Sequence, residues 1–339
     1  MQFVTINDIS RKAGVSKATV SRVLNNPDIV EPATRKRILD IMEELHYVPS
    51  AAARNLSKSS SATIGAVVAD IANPFLSELL KGVLHVCNKK GYTLICTDNS
   101  DDPDLDFKAL NSMKEQRVAG LIYAPAVDYA FYGKTEQYKL MIKDLNAPVV
   151  LVDRRVCWDE NSYDGVFFND YDAIRKAVKR LVSAGKKRIA FINSNEKNVI
   201  ADTRLNGYID GILTSGLTID RSLVFTDGKY TVESGYRQTR KMLELEELPD
   251  AVITCNNLLS KGYLQAIYES PGSKAKRITF VGLDQLDMMD TLGIKYNHIE
   301  RDAFLMGKSA AEQLFWRMKH PNDARHELIL EAPLISQTF

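Results

Sequence analysis

The first residues with a recognisable chemistry lie between positions 15 and 27, where polar side chains recur at helical spacing. Ser16 stands where an N-cap belongs, because its hydroxyl can accept a hydrogen bond from an unpaired backbone N–H at a helix start. The polar face of the helix that follows carries Lys17, Ala18, Ser21, Arg22 and Asn25, and its apolar face carries Val20, Val23 and Leu24. A short helix with a small, cationic front is typical of helices that lie in the DNA major groove. We therefore predict that this helix reads DNA.

Two further helices have to hold that helix in place. Thr5 and Asp8 form a capping-box-like pair at the start of the first, and Gly14 makes the turn into the second. A third helix is predicted at 32–45, with Pro32 in its first turn, where the missing N–H costs little. Three short helices with a Gly-containing turn between the first two predict a helix-turn-helix. The same pattern also fits an ordinary three-helix core with no role in DNA binding.

The segment 47–61 connects these helices to the rest of the chain. Its Ala-rich part, 50–57, predicts a short helix that is followed by serines. A helix of this length is not stable alone in water, so we expect it to order only when something binds it. Two interpretations stay open for Leu56. It docks on the body from a flexible linker, or a hinge helix inserts it as a wedge between base steps in the minor groove.

Length and composition indicate a globular protein of two or three domains. The chain has 339 residues, 45% of them apolar and 26% charged, and a net charge of +1. Residues 1–60 hold nine Lys/Arg against six Asp/Glu, so the positive charge is concentrated there. The sequence has no apolar run of membrane-spanning length and no secretory signal, and its four cysteines form no CxxC pair. We therefore expect a cytoplasmic protein with no membrane segment and with buried free thiols.

From residue 62 onward, apolar runs alternate with amphipathic helices. Strands are predicted at 64–69, 92–96, 118–123, 149–152, 165–168, 188–192, 251–254 and 278–281, with a last one near the carboxyl end. Helices are predicted at 75–90, 104–116, 135–144, 171–184, 203–215, 231–245, 258–269 and 302–318. These are too many elements for one sheet, so we predict two α/β lobes with parallel sheets and a cleft between the carboxyl ends of their strands. The helix at 75–87 has an apolar stripe wider than one sheet contact requires, which favours a subunit interface.

Several motifs carry a resemblance to a known family. TINDISRKAGVSKATVSRVLNNP and TRKRILDIMEELHYVPSAAARNL, followed by IGAVVADIANPF, closely resemble the lactose-repressor (LacI/GalR) family of transcriptional regulators. The resemblance continues through QRVAGLIYAPA, PVVLVDR, GKKRIAFI, TRLNGYIDGI, AVITCNN and ITFVGLD, and so covers essentially the whole chain. It implies a helix-turn-helix head with a hinge helix, followed by a two-lobed α/β body like that of periplasmic binding proteins.

The resemblance also implies roles for individual positions in DNA binding. The positions that match base-reading residues of the family are Lys17, Ala18 and Arg22. Those that match its phosphate contacts are Thr5, Ser16, Thr19, Ser21 and Asn25, and those that match its minor-groove contacts are Ala53 and Leu56. The chemistry agrees for Arg22, because a guanidinium can pair bidentately with guanine. The expected partner is double-stranded operator DNA, read by a homodimer.

In the body, the resemblance places an effector pocket in the cleft. The matching positions are Asp70, Asn73, Phe75, Asp153, Arg204, Tyr230, Asn256, Asp284 and Arg301. In such a pocket, carboxylates and amides bond sugar hydroxyls while an aromatic ring stacks on the sugar. Each position also has a simpler interpretation: Asp284 could cap a loop, Arg204 could be a surface charge, and Asn73 could start a helix.

Departures from the family pattern bear on the effector. Asn257 stands where relatives commonly have aspartate, and Arg301 stands where they often carry a small polar residue or glutamine. Further basic residues near the expected cleft are Arg154, Arg155, Lys229 and Lys261. Loss of negative charge and gain of positive charge favour an anionic effector, such as a sugar acid, over a neutral sugar. Alternatively, these basic side chains face solvent or pair with the carboxylates Asp70, Asp153 and Asp284.

The sequence contains no motif for catalysis or metal binding. It has no GxGxxG, P-loop, HExxH or GxSxG, and its five histidines have no metal-ligand spacing. We therefore expect a protein that is not an enzyme and has no cofactor. The predicted function is a ligand-responsive, sequence-specific transcriptional regulator, a repressor of a carbohydrate-utilisation operon. The alternatives are an activator and a sugar-binding protein of the same fold.

The predicted domain organisation follows from these patterns. The helix-turn-helix head is expected at 1–48, the hinge helix and linker at 49–62, and the body at 63–339. Within the body we place lobe one at 63–161 and 293–318, and lobe two at 162–292 and 319–339.

Overall fold

We describe the protein from a computed structural model, which covers residues 4–47, 62–156, 163–196, 199–270 and 275–337. The chain forms two compact units, Met1–Ser61 and Ala62–Phe339, which we call the head and the body and describe one at a time. The predicted hinge helix, with Ala53 and Leu56, lies outside the described residues.

Three α-helices make up the described part of the head: α1 (Ile6–Ala13), α2 (Lys17–Asn25) and α3 (Pro32–Glu44). The amide and the hydroxyl of Thr5 both donate to the Asp8 carboxylate, which fixes the start of α1. Gly14 ends α1 at a φ of 64°, a left-handed conformation that a glycine adopts without strain. The three helices pack around a core of Ile9, Ala13, Val20, Val23, Ile38 and Met42. The predicted helix-turn-helix is confirmed.

The body is built on twelve described strands, which fall into two sheets of six. In chain order the strands are β1 (Thr63–Val68), β2 (Thr93–Asp98), β3 (Gly120–Tyr123), β4 (Val149–Val152), β5 (Asp164–Phe168), β6 (Ile189–Ile192), β7 (Val224–Phe225), β8 (Ala251–Thr254), β9 (Thr279–Leu283), β10 (Asn297–Ile299), β11 (Glu327–Leu330) and β12 (Leu334–Ile335). The sheet of lobe one has the order β11-β5-β4-β3-β1-β2, and all its pairs are parallel. The sheet of lobe two has the order β12-β10-β9-β8-β6-β7, with only the β10–β12 pair antiparallel. Two α/β lobes with parallel sheets are confirmed.

The helices of the body lie between these strands. They are α4 (Pro74–Lys90), α5 (Pro103–Glu115), α6 (Thr135–Asp144), α7 (Asp170–Ser183), α8 (Val199–Thr214), α9 (Val232–Leu243), α10 (Asn257–Glu269), α11 (Asp287–Thr291) and α12 (Ala303–Lys319). Six of them begin after a side chain that accepts a hydrogen bond from the first turn: Asn73, Asp102, Asn169, Thr231, Asn256 and Asp302. Capping explains why the predicted starts of these six helices are correct to within one residue, whereas the short helix α11 was not predicted.

The described chain passes between the lobes in three short segments, 168–170, 299–303 and 330–334. The predicted lobe boundaries are therefore wrong for three strands. The strands β5 and β11 belong to lobe one and were expected in lobe two, and β10 belongs to lobe two and was expected in lobe one. The reason is that apolar patterning marks a strand but does not say which sheet it joins. That is decided by pairing, here of β5 with β4, β11 with β5, and β10 with β9.

The broad apolar stripe of α4 is buried inside the body. Its large apolar side chains pack into the lobe core, and only Leu84 is clearly exposed among those described, at 42%. The stripe is wide because α4 packs on the sheet and also on α12. The two helices come so close that a Cβ at Gly307 would lie 1.9 Å from the carbonyl oxygen of Leu79. The stripe therefore does not by itself indicate a subunit interface, which corrects that inference.

The described cysteines differ in exposure. Cys87 and Cys255 are buried, as expected, whereas Cys96 is exposed because β2 is the edge strand of its sheet. Among the described residues, no helix is long and apolar enough to cross a membrane, and no group of His, Cys, Asp and Glu could hold a metal ion.

Candidate functional site

The polar face of α2 is open to solvent. Lys17, Ala18 and Arg22 are exposed, while Val20 and Val23 are buried on the opposite face, as predicted. The ion pairs of the described head lie elsewhere: within α1, between α1 and α3, and between α3 and Asp28 of the turn before it. The two long cationic side chains of α2 therefore point to solvent without an ion-pair partner among the described residues.

The start of α2 combines hydroxyls with unpaired backbone amides. Ser16 Oγ accepts a hydrogen bond of 3.1 Å from the amide of Thr19, and the two hydroxyl oxygens lie 2.9 Å apart. Thr5 is also exposed, and its hydroxyl donates to Asp8 at 2.7 Å. Ser21 is half-buried, and Asn25 is the last residue of α2. A helix start with unpaired N–H groups suits a phosphate, so this end of α2 can hold a DNA backbone while its exposed side chains face base edges.

A cavity of about 290 Å³ lies between the two lobes, at the carboxyl ends of their strands. Every position that the resemblance placed in the effector pocket lines it: Asp70, Asn73, Phe75, Asp153, Arg204, Tyr230, Asn256, Asp284 and Arg301. The alternating strands and helices thus bring together side chains that are far apart in sequence.

Arg301 is the centre of a buried ion-pair network in the wall of this cavity. Its Nε and Nη2 bond the two carboxylate oxygens of Asp284 at 2.7 and 2.9 Å. Its Nη1 lies 3.2 Å from Asp153 Oδ1 and 3.4 Å from Asp170 Oδ2. The guanidinium carbon is also 4.3 Å from the centroid of the Phe75 ring. Arg301 is thus a fully engaged group, and the paired fork on Asp284 is its strongest contact.

Arg204 shares one of these carboxylates. Its Nε and Nη2 each lie 2.8 Å from Asp170 Oδ2, and its Nη1 donates to the carbonyl of Cys255 at 2.8 Å. Burial alone would raise the pKa of Asp170, but the guanidiniums of Arg204 and Arg301 outweigh it and lower that pKa below its usual value. The predicted alternative of a surface position for Arg204 is wrong, because its side chain is only 3% exposed.

A third buried arginine, Arg154, stabilises the wall contributed by lobe one. Its Nη1 pairs with the Asp101 carboxylate and donates to the carbonyls of Pro125 and Ala126, both at 3.1 Å. Glu196 of lobe two lies near this pair. Burial and the charge of Asp101 raise the pKa of Glu196, and Arg154 opposes them. Arg154, like Arg301, is compensated by a carboxylate.

Amide side chains also join or cap elements at the cavity. Asn257 Nδ2 of lobe two donates to Asn73 Oδ1 of lobe one at 2.8 Å, a direct bond across the cleft. Asn73 Oδ1 also accepts from the Phe75 amide at 3.0 Å, and Asn256 Oδ1 accepts from the Leu259 amide at 2.7 Å. Asn73 and Asn256 are therefore helix caps as well as lining residues.

The two units of the chain match two parts of one family. Residues 5–50 match the bacterial regulatory proteins of the lacI family, and residues 61–337 match the periplasmic binding proteins and sugar binding domain of the LacI family. The chain belongs to the LacI family. The expectation drawn from the sequence motifs is confirmed.

Individual LacI-family members are similar over almost the whole chain. The HTH-type transcriptional repressor PurR of Aliivibrio salmonicida is 29% identical over 96% of this chain and 94% of its own length. The catabolite control protein A of Priestia megaterium is 30% identical over 83% of this chain and 82% of its own length. The ribose operon repressor of Haemophilus influenzae is 29% identical, over 97% and 96%. All three are regulators by name.

Solved structures of LacI-family proteins share the fold. The lac repressor dimer bound to operator and the anti-inducer ONPF is 24% identical, with a TM-score of 0.82 over 99% of this chain and 98% of that chain. The complex of the transcriptional regulator CelR with cellobiose is 24% identical, with a TM-score of 0.72 over 98% of each chain. At this identity the likeness concerns the fold alone.

The expected surplus of free positive charge in the cleft is not what this LacI-family structure contains. Arg155 does not line the cavity, because its guanidinium packs 3.9 Å from the Phe167 ring centroid and 3.2 Å from Glu327. Lys261 is likewise absent from the cavity lining among the described residues. Lys229 does line it, from an exposed position. The cavity arginines pair with Asp153, Asp284, Asp101 and Asp170. This agrees with the alternative interpretation, in which the basic side chains of the cleft pair with carboxylates.

The cavity also has lining residues that sequence reasoning missed. They include Asp98, which is the last residue of β2, and Ser100, which follows that strand, together with Leu76, Ile200, Thr231 and Leu258. Asp98 and Ser100 were missed because the strand was predicted to end at residue 96, whereas it ends at Asp98. The general position of binding residues after parallel strands was the signal that could have found them.

Proposed function

We propose that this LacI-family protein is a homodimeric transcriptional repressor that reads a two-part operator with α2 of each head and responds to an uncharged sugar bound between the lobes of the body. One observation carries the choice of effector: each arginine that lines the cavity already pairs with a carboxylate. The family match and the exposed polar face of α2 support the DNA-binding part.

The charge balance of the cavity disfavours an acid. Its lining has five aspartates against three arginines and one lysine: Asp70, Asp98, Asp101, Asp153 and Asp284 against Arg154, Arg204, Arg301 and Lys229. A sugar acid would add negative charge to this excess, and it would have to displace an aspartate to reach an arginine. We therefore favour a neutral sugar over the sugar acid that the sequence alone favoured.

Hydroxyl groups fit the same lining. Carboxylate oxygens that are engaged by an arginine retain further lone pairs, so they can still accept from a sugar hydroxyl. A hydrogen bond to a charged group is worth about 1.5–3 kcal/mol. The Phe75 and Tyr230 rings each have a guanidinium over one face, at 4.3 and 5.4 Å from the centroid. A sugar that stacks on either ring would therefore pack on the opposite face.

The DNA-binding half of the proposal calls for two heads. The exposed face of α2 offers only Lys17 and Arg22 as long side chains that reach base edges. So few contacts favour weak binding by one head, and a dimer that reads two half-sites doubles them. The similar lac repressor structure is a dimer bound to operator, which supports this arrangement.

Calorimetric titration of the full chain tests the effector. D-ribose, D-glucose, D-galactose and cellobiose are compared with D-glucuronate and D-galacturonate at one pH and ionic strength. We expect at least one neutral sugar to bind, and glucose or galactose to bind about tenfold or more tightly than the matching uronate. Binding of a uronate without its neutral counterpart, or binding of none of the neutral sugars, would contradict the proposed effector class.

The DNA-binding half is tested separately. A duplex selected from a random pool by the full chain is labelled and titrated by fluorescence anisotropy at fixed salt, since affinity depends steeply on salt. We expect selected sequences with two half-sites related by a two-fold axis. Selection of no common sequence would contradict the repressor assignment, whatever the sugars do.

A further inference from the structure

The three segments that connect the lobes contain two members of the buried ion-pair network. Arg301 lies in the segment 299–303, and Asp170 ends the segment 168–170. The segments 299–303 and 330–334 are joined to each other, because the amide of Glu300 donates to the carbonyl of Pro333 at 2.8 Å. The connection between the lobes is thus a small, hydrogen-bonded unit with a guanidinium inside it.

Arg301 contacts a carboxylate of each lobe. Asp284 follows β9 in lobe two and takes the paired bonds of 2.7 and 2.9 Å. Asp153 follows β4 in lobe one and takes one bond of 3.2 Å. Both aspartates line the ligand cavity, so one side chain connects its two walls. Of the cavity arginines, Arg154 by contrast makes its hydrogen bonds within lobe one.

The two aspartates share an unusual backbone conformation. Asp153 has a φ of 61° and Asp284 a φ of 74°, in the left-handed region that residues other than glycine rarely adopt. Such a conformation persists where surrounding contacts enforce it, and it is concentrated at functional sites. Here the common contact of the two residues is the Arg301 guanidinium.

We propose that Arg301 is a positioning residue that ties the two lobes together at their connection and holds Asp153 and Asp284, the facing carboxylates of the cavity, at a fixed separation. The contact with lobe two is the strong one, because it is a two-bond fork. The contact with lobe one is a single, longer bond and is the one that yields first.

One consequence rests on the proposed function. A sugar whose hydroxyls donate to Asp153 competes with the single Arg301 bond and leaves the fork on Asp284 intact. Binding would thereby release lobe one from the connection and change the angle between the lobes. A ligand can shift this equilibrium only by its differential affinity for the two arrangements.

Hydrogen exchange of the full chain, without ligand or DNA, tests the proposal itself. The reporter is the Glu300 amide, which bonds Pro333 across two connecting segments. We expect Asp153→Asn, which keeps the size of the side chain, to speed exchange of this amide about tenfold, and Arg301→Gln to do so at least as much. The matched control is Arg154→Gln, which removes a buried cavity arginine whose hydrogen bonds stay in lobe one and whose contact with Asp153 is a long ion pair of 4.0 Å within the same lobe.

A double variant separates positioning from general stabilisation. Because both changes break the same bond, Asp153→Asn combined with Arg301→Gln should exchange no faster at Glu300 than Arg301→Gln alone. Amides in the middle of β1 and β8 should keep their wild-type rates, whereas a global loss of stability would speed them too. Arg301→Lys keeps the charge but loses the fork, and it should restore part of the protection.

These exchange rates test whether Arg301 ties the lobes together, and no sugar is needed for the test. If Asp153→Asn leaves the Glu300 rate unchanged, or if the two effects add, Arg301 merely stabilises lobe two and the proposal is wrong. If Arg301→Gln does not fold, Asp153→Asn and Arg301→Lys still give the answer. Because ligand and DNA are absent from this experiment, a negative result would not contradict the proposed repressor function. Failure of the sugar or DNA experiments would likewise not contradict the proposed role of Arg301.

Discussion

The crossing of α4 and α12 allows a prediction whose magnitude comes directly from the geometry. A Cβ at Gly307 would lie 1.9 Å from the backbone oxygen of Leu79, and one at Gly82 would lie 2.2 Å from the backbone oxygen of Phe304. These neighbours are helix backbone and cannot rotate away. Gly307→Ala therefore forces the helices apart by about 1.5 Å before an ordinary contact is reached.

The expected loss is about 2 kcal/mol. Overpacking costs about 1–3 kcal/mol, and a backbone neighbour places this substitution at the upper end. The alanine returns at most about 1 kcal/mol through its better helix propensity. The cost extends to the cavity, because Asn73, which lines it, caps α4, and α12 begins two residues after Arg301. Separation of the helices would move Phe75 away from Arg301.

Urea unfolding measures this effect. Wild type and Gly307→Ala are compared by circular dichroism at one protein concentration, because the stability of a dimer depends on concentration. The matched control is Glu312→Ala, an exposed change to alanine in the same helix, which we expect to alter stability by less than about 0.5 kcal/mol. An unfolding midpoint for Gly307→Ala equal to or above that of the wild type would refute the close-crossing argument.

Three further predictions concern the head, the thiols and acid stability. Arg22→Ala should weaken binding to the selected duplex by about 1–3 kcal/mol in anisotropy titrations, whereas Arg11→Ala, a change on α1, should have little effect; equal losses would mean that α2 has no special role. Of the described cysteines, native Cys96 should react first with Ellman's reagent and Cys255, whose pKa burial raises, only after unfolding; rapid reaction of both would contradict the burial. Burial alone would raise the pKa of Asp164, but its ion pair with Arg317 outweighs burial and lowers that pKa. The pair therefore stabilises the fold fully above the unfolded carboxyl pKa of about 3.9. This stabilisation is lost as the pH falls through the lower pKa of the folded state. Asp164→Asn should therefore cost about 3–5 kcal/mol at pH 7 and less in acid, and a constant loss between pH 7 and pH 2 would rule this out.

The isolated head gives one more test of the dimeric repressor. A fragment of residues 1–47 should bind the selected duplex far more weakly than the full chain, because it lacks both the second head and the connector with Leu56. Anisotropy at matched salt compares the two. Similar affinities would show that the body does not contribute to DNA binding.

Much of the fold follows from local patterns. Helix starts were predictable because Thr5, Ser16 and Asn73 cap through bonds to residues at most three positions away. The alternation of strands and helices also predicted two α/β lobes. The wide stripe of α4 was misinterpreted because its width comes from packing on α12, which lies more than 200 positions away in the sequence.

The cavity also combines features that the sequence predicts with features that depend on contacts between distant residues. The nine effector positions could be expected from the resemblance, and all nine line the cavity. Their charge state could not, because it depends on which carboxylate meets which guanidinium. Arg301 finds its partners at Asp153, Asp170 and Asp284, two of them more than 100 positions away.

The sequence by itself determined the helix-turn-helix, most of the strands and helices of the body, and the family, because these depend on side chains close together in the chain. The short elements β7, β10 and α11 were not predicted. Only the tertiary structure decided which sheet the strands β5, β10 and β11 join, and whether the cavity offers free cations or compensated ones. The physical reason is that strand pairing and buried ion pairs are made between distant residues. Their geometry exists only once the two lobes have folded.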